Sequence, residues 1–182
     1  MQDELINQLR KGKVGVLPTD TLYGLVGSAM LKPVVERIYK LKQRDPDKPM
    51  IILVGSVDDL RIFNIHLGEG EARVVKQYWP GPVSIVLPCP DEKFLHLHRG
   101  GETLAFRLPD DSQLTELLKQ TGPLVAPSAN PEGEPVAEDI ETAKRYFGDD
   151  VDFYIDGGTL TGQPSTVIEL RDGKAVIRRQ GR

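Results

Sequence analysis

The 182-residue chain is poor in the residues that bind transition metals and form disulfides, with one cysteine and three histidines. A single cysteine, Cys89, excludes an internal disulfide and a cysteine-based metal cage. The histidines His66, His96 and His98 do not occur in a metal-binding pattern. We therefore expect Cys89 to pack at the end of a strand and the histidines to lie at the surface.

Long apolar runs are also missing. No stretch approaches the roughly 18 uninterrupted apolar residues of a membrane helix, and the N-terminus has no basic segment followed by an apolar one. These absences predict a cytoplasmic protein that does not associate with a membrane. With 39% hydrophobic and 27% charged residues, the chain has enough apolar side chains to bury one sizeable core. We expect a single domain that covers residues 1–182.

Positive charge is scarce, because 27 acidic residues outnumber 23 basic ones and the net charge is −4. Two local basic clusters remain, one formed by Lys40, Lys42, Arg44 and Lys48 and the other by residues 171–182. A compact anionic ligand needs a few converging cations, whereas duplex nucleic acid needs many phosphate contacts. The charge balance therefore favours a small anionic ligand over nucleic acid.

Helical and strand patterns alternate along most of the chain. A first helix is predicted to be capped by Asp3 and stopped by Gly12, and another to end near Trp79. Further helices are predicted over residues 33–42, 112–119 and 138–147. Strands are predicted over residues 14–17, 50–54, 83–87, 103–108, 124–126, 166–170 and 174–177.

The last two strands flank Arg171-Asp172-Gly173, which is a hairpin signal. Other strands are separated by helices, so the sheet should contain both antiparallel and parallel pairs. These patterns predict an α/β fold of the mixed α+β type, with a twisted mixed sheet flanked by helices.

Polar and cationic residues follow the ends of predicted elements at three places. Residues 18–24 (Pro-Thr-Asp-Thr-Leu-Tyr-Gly) follow the first strand, Lys42-Gln43-Arg44 closes a helix, and Ser128-Ala129-Asn130 follows a short strand. Open α/β sheets bind small molecules at such ends. Each motif also has a structural interpretation, as a turn or a solvated helix end, and the residues alone do not decide between the two.

Arg107 lies on a predicted half-buried strand with Leu104 and Phe106. A guanidinium in such a place needs an anionic partner, either an internal Asp or Glu or a carboxylate on a ligand. The chain has neither a Gly-x-Ser-x-Gly elbow nor a Walker A segment. A serine-hydrolase triad and a P-loop are therefore not expected.

The chain resembles the threonylcarbamoyl-AMP synthases, the YrdC-like family also called TsaC, through short segments that occur in the same order over nearly its whole length. They are residues 18–25, 42–44 (Lys-Gln-Arg), 79–83 (Trp-Pro-Gly-Pro-Val), 103–107 (Thr-Leu-Ala-Phe-Arg), 126–130 (Ala-Pro-Ser-Ala-Asn), 156–158 (Asp-Gly-Gly), 164–168 (Pro-Ser-Thr-Val-Ile) and 179–181 (Arg-Gln-Gly). The resemblance implies a YrdC-like fold, of the mixed type that the patterns predict.

The resemblance also implies a reaction, that of an L-threonylcarbamoyladenylate synthase, a nucleotidyltransferase. L-Threonine, bicarbonate or CO2, and ATP would give threonylcarbamoyl-AMP and pyrophosphate. Mg²⁺ is expected to accompany ATP, without a protein-ligand cage. Partner threonylcarbamoyl transferase proteins would then modify the adenosine next to the tRNA anticodon, so direct tRNA binding by this chain is expected to be weak at most.

The resemblance further assigns site residues. Lys42 and Arg44 would be catalytic. The residues assigned to ATP are Lys42, Arg44, Lys48, Thr103, Ser128, Asn130 and Arg179. The residues assigned to threonine are Thr21, Arg107, Ala126 and Ser165. Arg178 is adjacent to Arg179, which leaves open which of the two contacts the nucleotide.

The chain departs from the family pattern at three positions. Glu132 stands where the family commonly has Ser, Val136 replaces a small hydroxyl residue, and Leu53 replaces a His that many longer relatives direct toward threonine. These departures concern the details of side-chain recognition rather than the class of reaction.

Three other functions remain open. A non-catalytic RNA-binding module of the same fold would not release pyrophosphate from ATP, and a carbamoyl-transfer domain would use carbamoyl phosphate. A nucleotide-binding regulator is the third. We expect the chain to be free-standing, without the additional C-terminal domain of longer relatives, and this disfavours the carbamoyl-transfer role.

Overall fold

The computed structural model describes residues 2–171 and 174–182. The strands of this part of the chain, in chain order, are β1 (Gly15–Pro18), β2 (Tyr23–Ser28), β3 (Ile51–Leu53), β4 (Val83–Pro88), β5 (Thr103–Arg107), β6 (Leu124–Val125), β7 (Phe153–Tyr154), β8 (Thr166–Arg171) and β9 (Lys174–Arg179). The α-helices are α1 (Gln2–Arg10), α2 (Lys32–Lys42), α3 (Glu69–Tyr78), α4 (Leu95–His98), α5 (Ser112–Thr121) and α6 (Ile140–Phe147).

All of these strands join one sheet in the order β7-β1-β2-β6-β3-β5-β4-β8-β9. The pairs β1/β7, β3/β5 and β4/β8 are parallel and the others are antiparallel. The predicted mixed sheet is therefore confirmed. The extent of the domain, residues 1–182, stays a prediction.

Apolar clusters lie on both faces of the sheet. On one face α1 and α5 pack against residues such as Leu17, Leu53 and Leu124. On the other face α2, α3, α4 and α6 cover a larger cluster that includes Tyr23, Ile52 and Phe106. Short strands such as β3 are apolar at every position because both of their faces are covered.

Helix α4 and strands β7 and β2 were not predicted. For β2 the reason is its composition. Its sequence contains Gly24 and Gly27, and glycine is depleted in strands. The structure explains Gly27, since a Cβ there would lie 2.4 Å from Val34 Cγ1 of α2. The glycine allows the helix to pack directly on the strand, so tertiary packing outweighs local propensity.

Two smaller sequence predictions are wrong. Asp3 does not cap α1, which begins at Gln2, so the carboxylate lies in the first turn. His98 is only 3% exposed, because α4 carries it into the core beside Leu97. Its Nδ1 accepts a hydrogen bond from the Gly100 N–H at 3.1 Å, and its Nε2 lies 3.3 Å from the Asp91 carbonyl oxygen.

Other details agree with the sequence. Cys89 is buried directly after β4. Strands β8 and β9 form the predicted hairpin, with Arg171 opposite Lys174. Asp172 and Gly173, at the predicted turn, lie outside the described residues.

We expect the Phe106→Ala variant to be strongly destabilised. Phe106 is fully buried and its ring centroid lies 4.9 Å from that of Phe63. Loss of the ring leaves a cavity in the larger cluster and should lower the free energy of unfolding by about 3 to 5 kcal/mol. Denaturant titration measures this loss, with Leu95→Ala at an exposed position as the control. A loss no larger than that of the control would contradict this account of the core.

Candidate active site

A cavity of about 220 Å³ opens where the β1–β2 turn meets the ends of β5 and β6 and the segment before β8. Seven residues that the resemblance assigns to ligands line it: Thr21, Arg44, Arg107, Ala126, Ser128, Ser165 and Arg179. These residues are far apart in sequence, and the sheet brings them to one place. The other four, Lys42, Lys48, Thr103 and Asn130, lie outside the lining.

The turn between β1 and β2 is built by Thr19. Its Oγ1 accepts hydrogen bonds from the N–H groups of Thr21 at 3.3 Å and Leu22 at 3.2 Å, and donates to the Leu22 carbonyl oxygen at 2.7 Å. The hydroxyl groups of Thr19 and Thr21 lie 3.1 Å apart. Thr21 lines the cavity, and its hydroxyl oxygen can accept a hydrogen bond from a ligand N–H or O–H.

Arg107, at the end of β5, is 3% exposed and forms an ion pair with Asp20. Asp20 also accepts a hydrogen bond from the Asp110 N–H at 3.2 Å. Burial lowers the pKa of the Arg107 guanidinium and the charge of Asp20 opposes that shift. The Nε of Arg107 is buried and makes no hydrogen bond to the described residues. The internal carboxylate that the sequence left open is therefore Asp20, and Arg107 is also among the residues that line the cavity.

Two further cations, Arg44 and Arg179, line the same cavity. Arg44 Nε and Nη2 donate to the carbonyl oxygens of Lys48 and Pro49, both at 3.0 Å. Arg179 Nη2 donates to the Ser165 carbonyl oxygen at 2.8 Å. Burial, and then the charge of Arg44, lower the pKa of Arg179. Two guanidinium groups close enough to repel each other form a place where an anion is stabilised.

Arg178 differs from Arg179, because its Nη2 lies 2.5 Å from Glu169 Oε2 and it is not part of the cavity lining. Of the two candidates, Arg179 is the one whose side chain reaches the cavity. The alternation of side chains along β9 separates them.

Lys42, which ends α2, is 2% exposed. Its Nζ donates to the carbonyl oxygens of Ser128 and Asn130, both at 2.6 Å. Burial and the nearby Arg44 charge lower the pKa of Lys42 to about 8. The ammonium therefore holds the Ser128-Ala129-Asn130 turn from behind, while Ser128 itself lines the cavity.

Asn130 is engaged inside the same turn. Its Oδ1 accepts from Ser128 Oγ at 2.6 Å, and its Nδ2 donates to the Glu134 carbonyl oxygen at 2.7 Å. Lys48 Nζ lies 2.8 Å from Glu132 Oε1, at the protein surface. Thr103 begins β5, two residues before Ala105, which lines the cavity. Nucleotide contacts by these side chains stay predictions.

Sequence reasoning missed two residues that shape the cavity. Asp20 was interpreted only as a turn residue. The single sequence signal for its ion pair was that Arg107 needs an anionic partner. Tyr23 OH donates to the Gly158 carbonyl oxygen at 2.7 Å and accepts from the Gly157 N–H at 2.8 Å. Tyr23 thereby fixes the Asp-Gly-Gly segment against β2. A tyrosine on an apolar strand carries no sequence signal for such a contact.

Leu53, one of the three departures from the family pattern, is not part of the cavity lining. It is paired in register with Arg107 on the neighbouring parallel strand, and it is fully buried in the cluster under α1 and α5. The cavity lining includes Ile51 from this strand rather than Leu53.

Two kinds of feature are absent from the part of the chain that the structure describes. Within residues 2–171 and 174–182, none of the helices has the length and apolar character needed to cross a membrane. Over the same residues, His, Cys, Asp and Glu side chains do not gather in groups of three that could hold a metal ion.

Known proteins provide an independent comparison. A family model for Sua5, YciO and YrdC proteins, described as "Telomere recombination", matches residues 7–181. The threonylcarbamoyl-AMP synthase of Pyrococcus abyssi is 34% identical over 175 residues, which are 95% of this chain and 52% of that protein. The threonylcarbamoyl-AMP synthase of Marinobacter nauticus is 34% identical over 167 residues, which are 90% of this chain and 87% of that protein.

Solved structures agree. The structure of P. abyssi Sua5 complexed with L-threonine matches 99% of this chain and 54% of its own, with a TM-score of 0.90 and 32% identity. E. coli YciO matches 99% of this chain and 88% of its own, with a TM-score of 0.87 and 28% identity. The chain belongs to the Sua5/YciO/YrdC family. It spans about half the length of the P. abyssi relative.

We expect the Lys42→Met variant to change how the free energy of unfolding depends on pH. The pKa of Lys42 is about 8 in the folded protein and 10.5 ordinarily, so between these values the unfolded chain binds more protons. The contribution of Lys42 to the free energy of unfolding is therefore constant at lower pH and rises with pH across this window.

Denaturant titrations of parent and variant at neutral and alkaline pH measure the effect. The difference in free energy of unfolding should grow in favour of the parent by roughly 1 to 3 kcal/mol across the window. Parallel pH profiles for the two proteins would show that the pKa of Lys42 is not lowered in the folded protein.

Proposed function

We propose that the chain is an L-threonylcarbamoyladenylate synthase, a nucleotidyltransferase that makes threonylcarbamoyl-AMP and pyrophosphate from L-threonine, bicarbonate or CO2, and ATP. One observation carries the proposal: a single cavity is lined by three guanidinium groups, those of Arg44, Arg107 and Arg179. An amino-acid carboxylate and a polyphosphate are two anions that such a cavity would bring together. The relatives that bear this activity in their names, and the relative solved with L-threonine, support the same function.

The threonine side of the site is assigned to four residues. The guanidinium of Arg107 would bind the carboxylate while Asp20 holds it in place. The Thr21 oxygen would accept a hydrogen bond from the amine or hydroxyl of the substrate. Ser165 and Ala126 line the same cavity, and the Ser165 hydroxyl is held by that of Ser84, 2.9 Å away.

The nucleotide side is assigned to the phosphate-binding pair Arg44 and Arg179, with Ser128. The cavity of about 220 Å³ is smaller than the roughly 300 to 1,000 Å³ typical of ligand pockets. ATP would therefore extend past it, toward Lys48, Asn130 and Thr103. Lys42 would act by holding the Ser128 turn. Mg²⁺ would arrive with the ATP phosphates, as it often does in phosphoryl-binding sites.

The reaction needs positioning and charge neutralisation more than a nucleophilic side chain. The threonine nitrogen forms a bond to the carbon of CO2 and loses a proton, which gives a carbamate. A carbamate oxygen then attacks the α-phosphorus of ATP, and the bond to the bridging oxygen of pyrophosphate breaks. Arg44 and Arg179 would stabilise the charge that develops on the leaving pyrophosphate.

The product suits a role in tRNA modification. Threonylcarbamoyl transferase proteins would pass the group from this small molecule to the adenosine next to the anticodon, in the cytoplasm. The catalyst itself does not need to bind tRNA tightly, which agrees with a net charge of −4.

The decisive experiment is mass spectrometry of the product formed from ATP, L-threonine and bicarbonate. We expect threonylcarbamoyl-AMP and one equivalent of pyrophosphate, dependent on all three substrates. Carbamoyl phosphate in place of threonine and bicarbonate should give no adenylate. Tight tRNA binding without pyrophosphate release would favour the RNA-binding module, and an adenylate from carbamoyl phosphate would favour carbamoyl transfer.

We expect loss of Arg107 to weaken threonine binding far more than ATP binding. Asp20 is buried, so the Arg107→Leu change is best combined with Asp20→Asn, which avoids leaving an unpaired buried carboxylate. Removing a charge-assisted partner of a carboxylate costs about 2 to 3 kcal/mol, or some tens- to a hundredfold in affinity.

Titration of each ligand against the folded double variant measures the effect. Asp20→Asn alone is the matched control, because it keeps the guanidinium, and it should retain threonine binding. If ATP binding falls and threonine binding does not, Arg107 belongs to the nucleotide side of the cavity.

A further inference from the structure

Glu132 joins two turns that border the nucleotide side of the cavity. The first, which we call the α2 turn, comprises residues 43–49 and follows α2. The second, the serine turn, comprises residues 128–134 and contains Ser128 and Glu132. The N–H of Glu132 donates to the Lys42 carbonyl oxygen at 2.6 Å. Its carboxylate accepts from the Asp45 N–H at 2.7 Å and from Lys48 Nζ at 2.8 Å.

These contacts fix where the charge of Lys48 lies. Lys48 Nζ is also 3.6 Å from Asp45 Oδ2, so two carboxylates neutralise one ammonium. The hydrogen bond to Glu132 raises the pKa of Lys48, and the same bond lowers the pKa of Glu132. In this arrangement Lys48 contributes little net positive charge to the cavity.

The pair contributes little to folding. The side chains of Lys48 and Glu132 are 54% and 33% exposed, and ion pairs as exposed as this add little to the free energy of unfolding. The Lys48–Glu132 pair instead affects the electrostatic potential near Arg44. The charge of Arg44 is among the causes that lower the pKa of Glu132, so the carboxylate and the cavity-lining guanidinium interact.

The backbone places Lys48 beside the phosphate-binding pair. The Lys48 carbonyl oxygen accepts from Arg44 Nε at 3.0 Å and from Tyr39 OH at 2.9 Å. The α2 turn is therefore held firmly while the Lys48 side chain extends from it to Glu132. A flexible lysine side chain on a fixed turn has more than one anion within reach, and Glu132 competes with any phosphate for it.

We propose that Glu132 sets the affinity of the cavity for polyphosphate by holding Lys48 in an ion pair. This proposal rests on the proposed function, because it takes ATP as the ligand of that side of the cavity. Glu132 is a specificity-determining residue in this role and not a catalytic one. The Glu132 carboxylate limits nucleotide binding, so its removal should raise the affinity for ATP.

The test compares ATP binding to the parent and to Glu132→Gln by calorimetry. Glutamine has nearly the shape of glutamate and keeps an acceptor for the Asp45 N–H, so the turn is retained while the charge is lost. We expect ATP to bind roughly three- to tenfold more tightly, and the gain to shrink as salt is raised. KM for ATP should fall with kcat nearly unchanged, a pattern that loosening of the turn would not produce.

Two further variants separate the causes. Glu134→Gln makes the same change of charge at an exposed position in the serine turn, and it should leave ATP affinity within about twofold of the parent. Lys48→Met combined with Glu132→Gln should lose most of the gain, because the released ammonium is then absent.

The outcomes are distinct. Unchanged or weaker ATP binding by a folded Glu132→Gln, in a parent that binds ATP, would overturn the role of Glu132 and leave the proposed function intact. An equal gain in Glu134→Gln, or a gain that survives loss of Lys48, would overturn it as well. A parent that does not bind ATP would refute both proposals together.

Discussion

The site depends on one buried ammonium. Lys42 comes from the end of α2, and both of its short hydrogen bonds go to carbonyl oxygens of the serine turn. The serine turn also bonds to the backbone of Lys42, since the Glu132 N–H donates to the Lys42 carbonyl oxygen. A charged group at 2% exposure is costly to bury unless such acceptors surround it. Because they are backbone atoms, the position of Lys42 dictates the path of the chain at Ser128.

This arrangement changes how the Lys-Gln-Arg segment is understood. The two cations of the segment are separated by Gln43, whose left-handed φ of 50° ends α2. The chain reverses there, so Lys42 is directed inward to the serine turn and Arg44 is directed to the cavity. Lys42 thus holds the serine turn from behind, and Arg44 lines the cavity. If the helix continued through Arg44, the side chains of Lys42 and Arg44 would lie on roughly opposite sides of its axis. The two side chains would then not serve the serine turn and the cavity separately.

Sequence reasoning located the cavity but not its internal contacts. The mixed sheet, most strands and most helices followed from apolar periodicity and from Gly and Pro positions, because those signals are local. Seven of the assigned residues reached the cavity, since the order of motifs identified them. The partner of Arg107 could not be identified, because nothing local connects Asp20 to a strand 87 residues away. Strand β2 was missed for the same reason, as Gly27 is explained only by contact with α2.

The cavity draws on both ends of the chain. Thr19 and Thr21 lie near the N-terminus, whereas Ser165 and Arg179 lie near the C-terminus, and Arg182 Nη1 donates to the Asp20 carbonyl oxygen at 2.9 Å. During synthesis, the first half of the sheet therefore emerges from the ribosome with an open cleft whose second wall has not yet been translated. Contacts of such long sequence separation also slow folding, because the entropy of closing the loop is lost before the contact forms. A ligand of this cavity consequently binds only after the C-terminal strands have joined the sheet. Before that step the cavity lacks one of its walls.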